Sequence, residues 1–164
     1  MGLQGLPRGP KVDEKFKILL YDIPYRLYEG ISLAQNVFGV YFCSPWLSEL
    51  GIRGFVSLLK SKVKNRPFEI LTRPPSDDIP WHRDMVSILR NQCNAKIYCN
   101  PVLHAKMYIV IAQSGGFAIF GSPNLTKTAR TNIEVALITY DKSFIDGLFN
   151  IFQVHLKRLC KYWG

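Results

Sequence analysis

Features that would place this sequence outside the ordinary globular class are scarce. Its 164 residues include only four cysteines, Cys43, Cys93, Cys99 and Cys160, and none of them forms a Cys-x-x-Cys pair. No group of cysteine and histidine residues has zinc-ligand spacing. The pattern therefore predicts free thiols in a reducing compartment rather than a disulfide framework or a zinc site.

Long apolar runs and acidic residues are also scarce. No stretch of 18 apolar residues occurs, and the N-terminal residues lack the order of a secretory signal, so we expect a soluble, cytoplasmic protein with no membrane partner. Asp and Glu total 12 against 21 Lys and Arg, which gives a formal net charge of +9. Such a surplus attracts polyanions and favours nucleic acid or an acidic membrane surface, although a basic surface also serves solubility.

Short apolar runs alternate with amphipathic stretches along the chain. Residues 1–15 contain Pro7, Gly9 and Pro10 and predict a flexible arm before a single domain of residues 16–164. Predicted strands are Val37–Cys43, Phe68–Thr72, Ala95–Cys99, Leu103–Ala112, Phe117–Phe120 and Glu134–Tyr140. Predicted helices are Ile52–Val63, Pro80–Cys93, a short helix after Asn124, and Ser143–Trp163 with Phe144 and His155 on its apolar side. The alternation predicts an α/β fold, a sheet flanked by helices on both faces.

The chemistry-bearing residues lie between His104 and Glu134. His104-x-Lys106 in a strand would place both side chains on one face. Gly121-Ser122-x-Asn124 follows a predicted hairpin whose turn contains Gly115-Gly116, and Asn132-x-Glu134 opens the next strand.

These residue types suit phosphoryl chemistry. A neutral imidazole can attack phosphorus and form a phosphohistidine. Lys106, Ser122 and Asn124 can stabilise charge on the phosphoryl oxygens, and the Glu134 carboxylate can hold one imidazole nitrogen as a donor. The set contains no metal-ligand pattern, so we expect no metal and no other cofactor.

In these motifs the sequence resembles the phospholipase D superfamily, whose signature is His-x-Lys-x4-Asp, a Gly-Ser-x-Asn segment and a later Asn-x-Glu. His104, Lys106, Ser122, Asn124 and Glu134 match in order, and the wider likeness extends back to Ser44-Pro45-Trp46. The resemblance implies a phospholipase-D-like mixed β-sheet flanked by helices on both faces. Ile111 stands where the family has its Asp, which puts full activity in question.

The resemblance also implies an active site with two His-x-Lys motifs, whereas this chain has one. A two-fold homodimer would supply the second, with one His104 as nucleophile and its partner as general acid and then base. Small single-motif members of the superfamily resemble nucleases. Together with the charge, this favours an endonuclease acting on nucleic acid, with DNA favoured over RNA. A nucleic-acid-binding module with weak or lost catalysis and a phospholipid phosphodiesterase are the alternatives.

Other residues carry open interpretations. Ser44, Arg73 and Lys127 are candidate substrate-binding residues, although Arg73 and Ser44 also fit ordinary loop positions at strand ends. Trp46 and Trp81 can stack on bases or pack at an interface, and the basic stretch of residues 60–66 can reach phosphates or simply be solvated. His82 belongs to no motif, and His155 is expected to pack.

Overall fold

The computed structural model describes residues 15–48 and 54–164, and within these ranges the chain forms eight strands and four α-helices. The strands are β1 Phe16–Leu19, β2 Val37–Cys43, β3 Phe68–Thr72, β4 Lys96–Cys99, β5 Met107–Ala112, β6 Phe117–Gly121, β7 Ala136–Thr139 and β8 Lys161–Trp163. The helices are α1 Ile23–Leu33, α2 Phe55–Lys62, α3 Pro80–Cys93 and α4 Lys142–Asn150. A 3-10 turn spans Thr128–Arg130, and α4 continues through the π-helical turn Ile151–Leu156 and the 3-10 turn Lys157–Leu159.

All eight strands pair into one mixed sheet in the order β1-β7-β6-β5-β2-β3-β4-β8. Strands β2, β3 and β4 run parallel to one another, and the other neighbouring pairs are antiparallel. The strand directions place the ends of β2, β3, β4 and β6 beside the beginnings of β5, β7 and β8. We call this end of the sheet the site end and the other the opposite end.

Helices cover both faces of the sheet, which confirms the predicted fold class. Helices α1, α2 and α3 bury apolar side chains against one face, where the core includes Leu27, Leu59 and Leu89. Helix α4 and the turn after it cover the other face with Ile145, Leu148 and Phe152. Because β2 is covered on both sides, its sequence is apolar at almost every position rather than alternating.

Several predicted boundaries were correct, and others were wrong for identifiable reasons. Strands β2 and β3 and helix α3 have their predicted bounds, and the β5–β6 hairpin forms. The strand predicted from Leu103 begins only at Met107, because the Leu103 N–H closes a turn on the Asn100 carbonyl at 3.1 Å. The strand predicted over Glu134–Tyr140 is shorter, and β1 and α1 were not predicted.

The long C-terminal helix predicted over Ser143–Trp163 was wrong at its end. Cys160 has an extended backbone, and β8 pairs antiparallel with β4, so that it satisfies the backbone groups at that strand's edge. Of the side chains predicted on its apolar side, His155 is exposed, whereas Phe144 is partly exposed and packs against Phe16 and Phe120, with ring centres 4.7 and 5.7 Å away. The predicted arm of residues 1–15 and the first residues of the helix predicted from Ile52 lie outside the described residues, apart from Lys15.

Candidate phosphodiester site

His104 and Lys106 meet at the site end of the sheet. The Lys106 Nζ lies 3.0 Å from the His104 Nε2, so an ammonium group at Lys106 donates to the imidazole lone pair. Both residues precede β5 rather than lie within it, so the expected strand alternation does not explain their meeting. His104 is exposed and Lys106 half-buried, which leaves the imidazole accessible from solvent.

Ser122 and Glu134 occupy the neighbouring strand ends. The Ser122 hydroxyl donates to the Glu134 Oε2 and accepts the Val135 N–H at 3.1 Å. The Gly121 N–H donates to the Lys106 carbonyl at 3.3 Å, which ties this pair to the His104–Lys106 segment. A Cβ on Gly121 would lie 2.3 Å from the Val135 carbonyl oxygen, so glycine permits this close approach.

The loop that carries Ser122 and Asn124 is held from below by two hydroxyl groups. The Tyr108 hydroxyl donates to the Pro123 carbonyl at 2.7 Å, and the Ser44 Oγ accepts the Leu125 N–H at 3.0 Å. Ser44 also donates to the Trp46 carbonyl at 2.8 Å and has no exposed surface. Ser44 therefore supports the loop from below, and its expected substrate contact stays a prediction.

Tyr108 was not identified from the sequence as a site residue. It alternates with Met107 and Ile109 in an apolar strand, and a tyrosine in such a strand reads as a core residue. The motif offered one signal only, since Tyr108 lies two residues after Lys106 in the sequence. Burial strongly raises the pKa of its hydroxyl, which therefore stays protonated as a hydrogen-bond donor.

Asn124 contributes an unpaired acceptor to the same loop. Its Oδ1 is buried and has no hydrogen-bond partner within the described part of the chain. A buried amide oxygen without a donor costs about 1–3 kcal/mol. Such costs are concentrated at functional sites, where a ligand or partner supplies the missing group.

The electrostatics of the site centre on Lys106. Partial burial lowers the pKa of its ammonium group, the Glu134 carboxylate raises it, and the positive charge of Arg73 lowers it further. Two cations and one carboxylate therefore share this region. The Cys43 thiol beneath it donates to the Ala105 carbonyl at 3.5 Å, and burial raises the pKa of that thiol to about 12. Cys43 is therefore a protonated, unreactive neighbour, and all four cysteines are free thiols.

Arg73 reaches the site from the end of β3. Its Nε donates to the Leu103 carbonyl at 3.0 Å, one residue before His104, and its guanidinium lies 4.8 Å from the centre of the Trp46 ring. His82 is fully buried below it. The His82 Nδ1 accepts the Leu47 N–H at 3.1 Å, and its Nε2 lies 3.0 Å from the Arg73 carbonyl.

The remaining predicted residues lie further out. Lys127 follows the loop that carries Ser122 and Asn124, and its side chain is exposed. Its backbone N–H donates to the Ser48 hydroxyl at 2.8 Å. The basic stretch of residues 60–66 lies at the opposite end of the sheet. There the Lys62 Nζ caps the end of α1 through the Ser32 and Ala34 carbonyls at 3.0 and 2.7 Å. In this stretch Lys62 is structural.

Ile111, at the family's Asp position, packs with the apolar residues under α4. It lies five residues along the chain from Lys106, roughly 17 Å if that segment is extended. An apolar side chain suits this environment. Among the described residues, no group of three or more His, Cys, Asp or Glu side chains is arranged to hold a metal ion.

Comparisons with known proteins agree with this architecture. NucT from Helicobacter pylori is 19% identical with a TM-score of 0.66, over 90% of this chain and 99% of that one. The phospholipase D family member Nuc from Salmonella typhimurium is 13% identical with a TM-score of 0.68, over 90% and 98%. The archaeal chromatin protein TrmBL2, whose structure is described as showing a novel mode of DNA binding, is 12% identical with a TM-score of 0.59, over 96% and 57%.

At these identities the structures show a shared fold. No curated protein sequence matches the chain significantly. In the described ranges, none of the helices combines the length and apolar character needed to cross a bilayer. Residues 40–156 match the family described as cardiolipin synthase, PLD-like domain. This match covers well over half of the chain and includes every residue of the site, so the chain belongs to the PLD-like domain family of the phospholipase D superfamily.

Proposed function

We propose that this protein is a metal-independent endonuclease that cleaves nucleic-acid phosphodiester bonds through a phosphohistidine on His104. The observation that carries the proposal is the 3.0 Å approach of Lys106 Nζ to His104 Nε2 beside the Ser122–Glu134 pair. A nucleophile, a cation and a carboxylate-anchored hydroxyl converge at one end of the sheet, which is the set that phosphoryl transfer requires.

The geometry suggests how the groups would act. A phosphodiester entering between His104 and Lys106 would take the ammonium hydrogen bond onto a non-bridging oxygen and free the Nε2 lone pair to attack phosphorus. The P–N bond forms as the bond to the leaving oxygen breaks, and that oxygen takes a proton from an acid. Water then breaks the P–N bond and restores the imidazole. Ser122 would donate to an equatorial oxygen once its hydroxyl proton turns away from Glu134, and Asn124 would donate through its Nδ2 amide.

The acid would come from a second copy of the chain. His104 is exposed, and three exposed apolar side chains lie at the same end of the sheet: Val102 is 80% exposed, Ile133 86% and Val135 56%. We call these three residues the apolar rim. An apolar patch around a polar site favours coverage by another protein surface. A two-fold dimer through the rim would bring a second His104 opposite the first.

Nucleic acid is the substrate that the charge favours. The net charge of +9 gives a general attraction for polyanions, with Arg73 and Lys106 together at the site. We infer DNA over RNA and a cytoplasmic location, as expected from the sequence. Phospholipid hydrolysis is the alternative suggested by the description of the matched family, and a vesicle hydrolysis assay separates it from nuclease activity.

The test is cleavage of labelled DNA and RNA, single- and double-stranded, in excess EDTA. The natural protein should cut, and His104→Ala should lose at least about 1,000-fold in rate, because the covalent route is gone. His155→Ala is the matched control, since His155 is also exposed but lies after α4. Loss of cutting in EDTA, or equal cutting by His104→Ala, would refute the proposal.

A second candidate function is binding without cleavage. It is favoured by Ile111, which replaces the family's Asp and packs in an apolar cluster. In the same experiment, binding of nucleic acid by both the natural protein and His104→Ala with no cleavage by either would identify a recognition module.

The dimer is tested separately by Ile133→Glu, which places a charge in the apolar rim. Sedimentation should show a monomer for this variant and a dimer for the natural protein, with cleavage lost in the monomer. Leu33→Glu is the matched control, because Leu33 is 75% exposed but lies on α1 at the opposite end. A natural protein that cleaves as a monomer would rule out the shared site.

A further inference from the structure

Two tryptophans lie beside the phosphodiester site. Trp46 and Trp81 have ring centres 6.1 Å apart, and His82 packs against both at 5.3 and 6.2 Å. Trp81 is 48% exposed although it belongs to the first turn of α3. An aromatic side chain this large and this exposed keeps a free surface on which another planar group can stack.

A cation joins this aromatic pair to the site. The Arg73 guanidinium lies 4.8 Å from the centre of the Trp46 ring, and its Nε holds the Leu103 carbonyl just before His104. Strand β3 ends just before Arg73, and β5 begins just after Lys106. Only β2 lies between them, so the two strands are about 10 Å apart. A nucleotide next to the bond under attack by His104 would therefore lie over Arg73 and the tryptophans.

The charges near Trp81 are mixed: Asp77, Asp78 and Asp84 lie close to it in sequence, and Arg83 pairs with Asp77 and Asp84 at 2.5 and 3.0 Å. The cation that can meet an adjoining phosphate is Arg73, against the Trp46 ring. Beyond Arg73 the surface continues into a groove of about 500 Å³ next to Pro74, Asn100 and Lys161, which lies at the ends of β3 and β4 and beside β8. The groove leaves room for a bound nucleic-acid strand to continue past the tryptophans.

We propose that Trp81, supported by Trp46 and Arg73, forms a base-stacking subsite for single-stranded nucleic acid. The inference rests on the proposed function and specifies its substrate. Single strands are required because the bases of a duplex are already stacked on their neighbours and do not present a free face. Arg73 supplies the charge for the adjoining phosphate and Trp81 the planar surface for the base.

Binding tests the subsite without depending on cleavage. Short labelled phosphorothioate strands, which resist hydrolysis, are titrated in EDTA as intact strands, as abasic strands with the same charge, and as duplexes. Trp81→Ala should weaken binding of the intact single strand by about 10-fold, the typical worth of one stacked base. It should change binding of the abasic strand and the duplex by less than about 2-fold, because neither offers a free base to stack.

Matched variants complete the design. Phe38→Ala is the control, because Phe38 is 47% exposed and lies beside Arg66 at the opposite end of the sheet. It should bind all three ligands as the natural protein does, and Trp81→Phe should recover most of the affinity lost in Trp81→Ala. Sedimentation is run on each variant.

Three results would overturn the subsite: equal affinity of the natural protein for intact and abasic strands, equal losses in Trp81→Ala and Phe38→Ala, or a Trp81→Ala protein that becomes monomeric. The last would assign Trp81 to the subunit interface. A protein that cleaves nothing but loses intact-strand binding in Trp81→Ala would refute the nuclease proposal and support the subsite.

Discussion

Ser44→Ala separates a positioning role from a substrate contact. The Ser44 Oγ has no exposed surface and makes three hydrogen bonds, to the Trp46 carbonyl, the Leu125 N–H and the Tyr108 hydroxyl. Substitution by alanine removes all three hydrogen bonds and leaves a smaller side chain in the same place. The Ser122–Leu125 loop then keeps only the hydrogen bond from Tyr108 to Pro123 from below.

The magnitude follows from which groups lose a partner. The Leu125 N–H becomes a buried donor without an acceptor, which costs about 1–3 kcal/mol, whereas Tyr108 keeps its 2.7 Å bond to Pro123. We expect a loss of about 2 kcal/mol in the free energy of unfolding. For a chain of this size that lowers Tm by about 4–8 °C. Loosening the loop should also lower kcat by about 10-fold or more, because small displacements of positioned groups are costly.

The assays are urea unfolding at pH 7 and nuclease kinetics in EDTA, with Ser61→Ala as the control. Ser61 is exposed and donates only to the Leu58 carbonyl at 2.8 Å, so its removal should change stability by less than about 0.5 kcal/mol. A Ser44→Ala protein with unchanged stability and a raised KM would refute the positioning role and restore the substrate contact expected from the sequence.

Two further predictions concern stability. Lys157 contacts both oxygens of Glu69, at 2.9 and 2.8 Å, and Glu69 is only 8% exposed, so Lys157→Met should cost about 2 kcal/mol in urea unfolding. Lys142→Met, which breaks the exposed pair with Asp146, should cost under about 0.5 kcal/mol, and equal losses would contradict the reasoning. Burial lowers the pKa of His82 below its ordinary 6.5, so near and below pH 6.5 the unfolded state binds more protons than the folded state. Stability should therefore fall as the pH drops below about 6.5 and the loss should be smaller in His82→Gln; identical pH profiles would exclude His82 as the cause.

Much of the fold was predictable because burial leaves a clear trace in sequence. The run from Val37 to Cys43 is apolar throughout since both faces of β2 are covered, and Pro80 marks the start of α3. The C-terminal β8 was not predictable. Its residues, Lys161–Trp163, carry no strand pattern, and they form a strand because β4 offers an unpaired edge that only the tertiary structure brings near.

The sequence points to the motif residues of the candidate site but not to the contacts that support them. His104 and Lys106 were identified by their spacing in the sequence, and in the structure the Lys106 Nζ lies 3.0 Å from the His104 Nε2. Tyr108 contacts Pro123, 15 residues further along the chain, and Ser44 contacts Leu125, 81 residues further along. No local sequence pattern encodes contacts over such separations. The same holds for the approach of Arg73 to Leu103, across 30 residues.

The central claim is that His104 forms a covalent bond to phosphorus, and the most direct test is to trap that bond. The natural protein is mixed with single-stranded DNA in EDTA, quenched within the first turnover at alkaline pH, where phosphohistidine persists, and digested for mass spectrometry. We predict a nucleotide adduct on the peptide that contains His104, absent from His104→Ala and present in His155→Ala. Cleavage by the natural protein without any adduct at His104 would contradict the account.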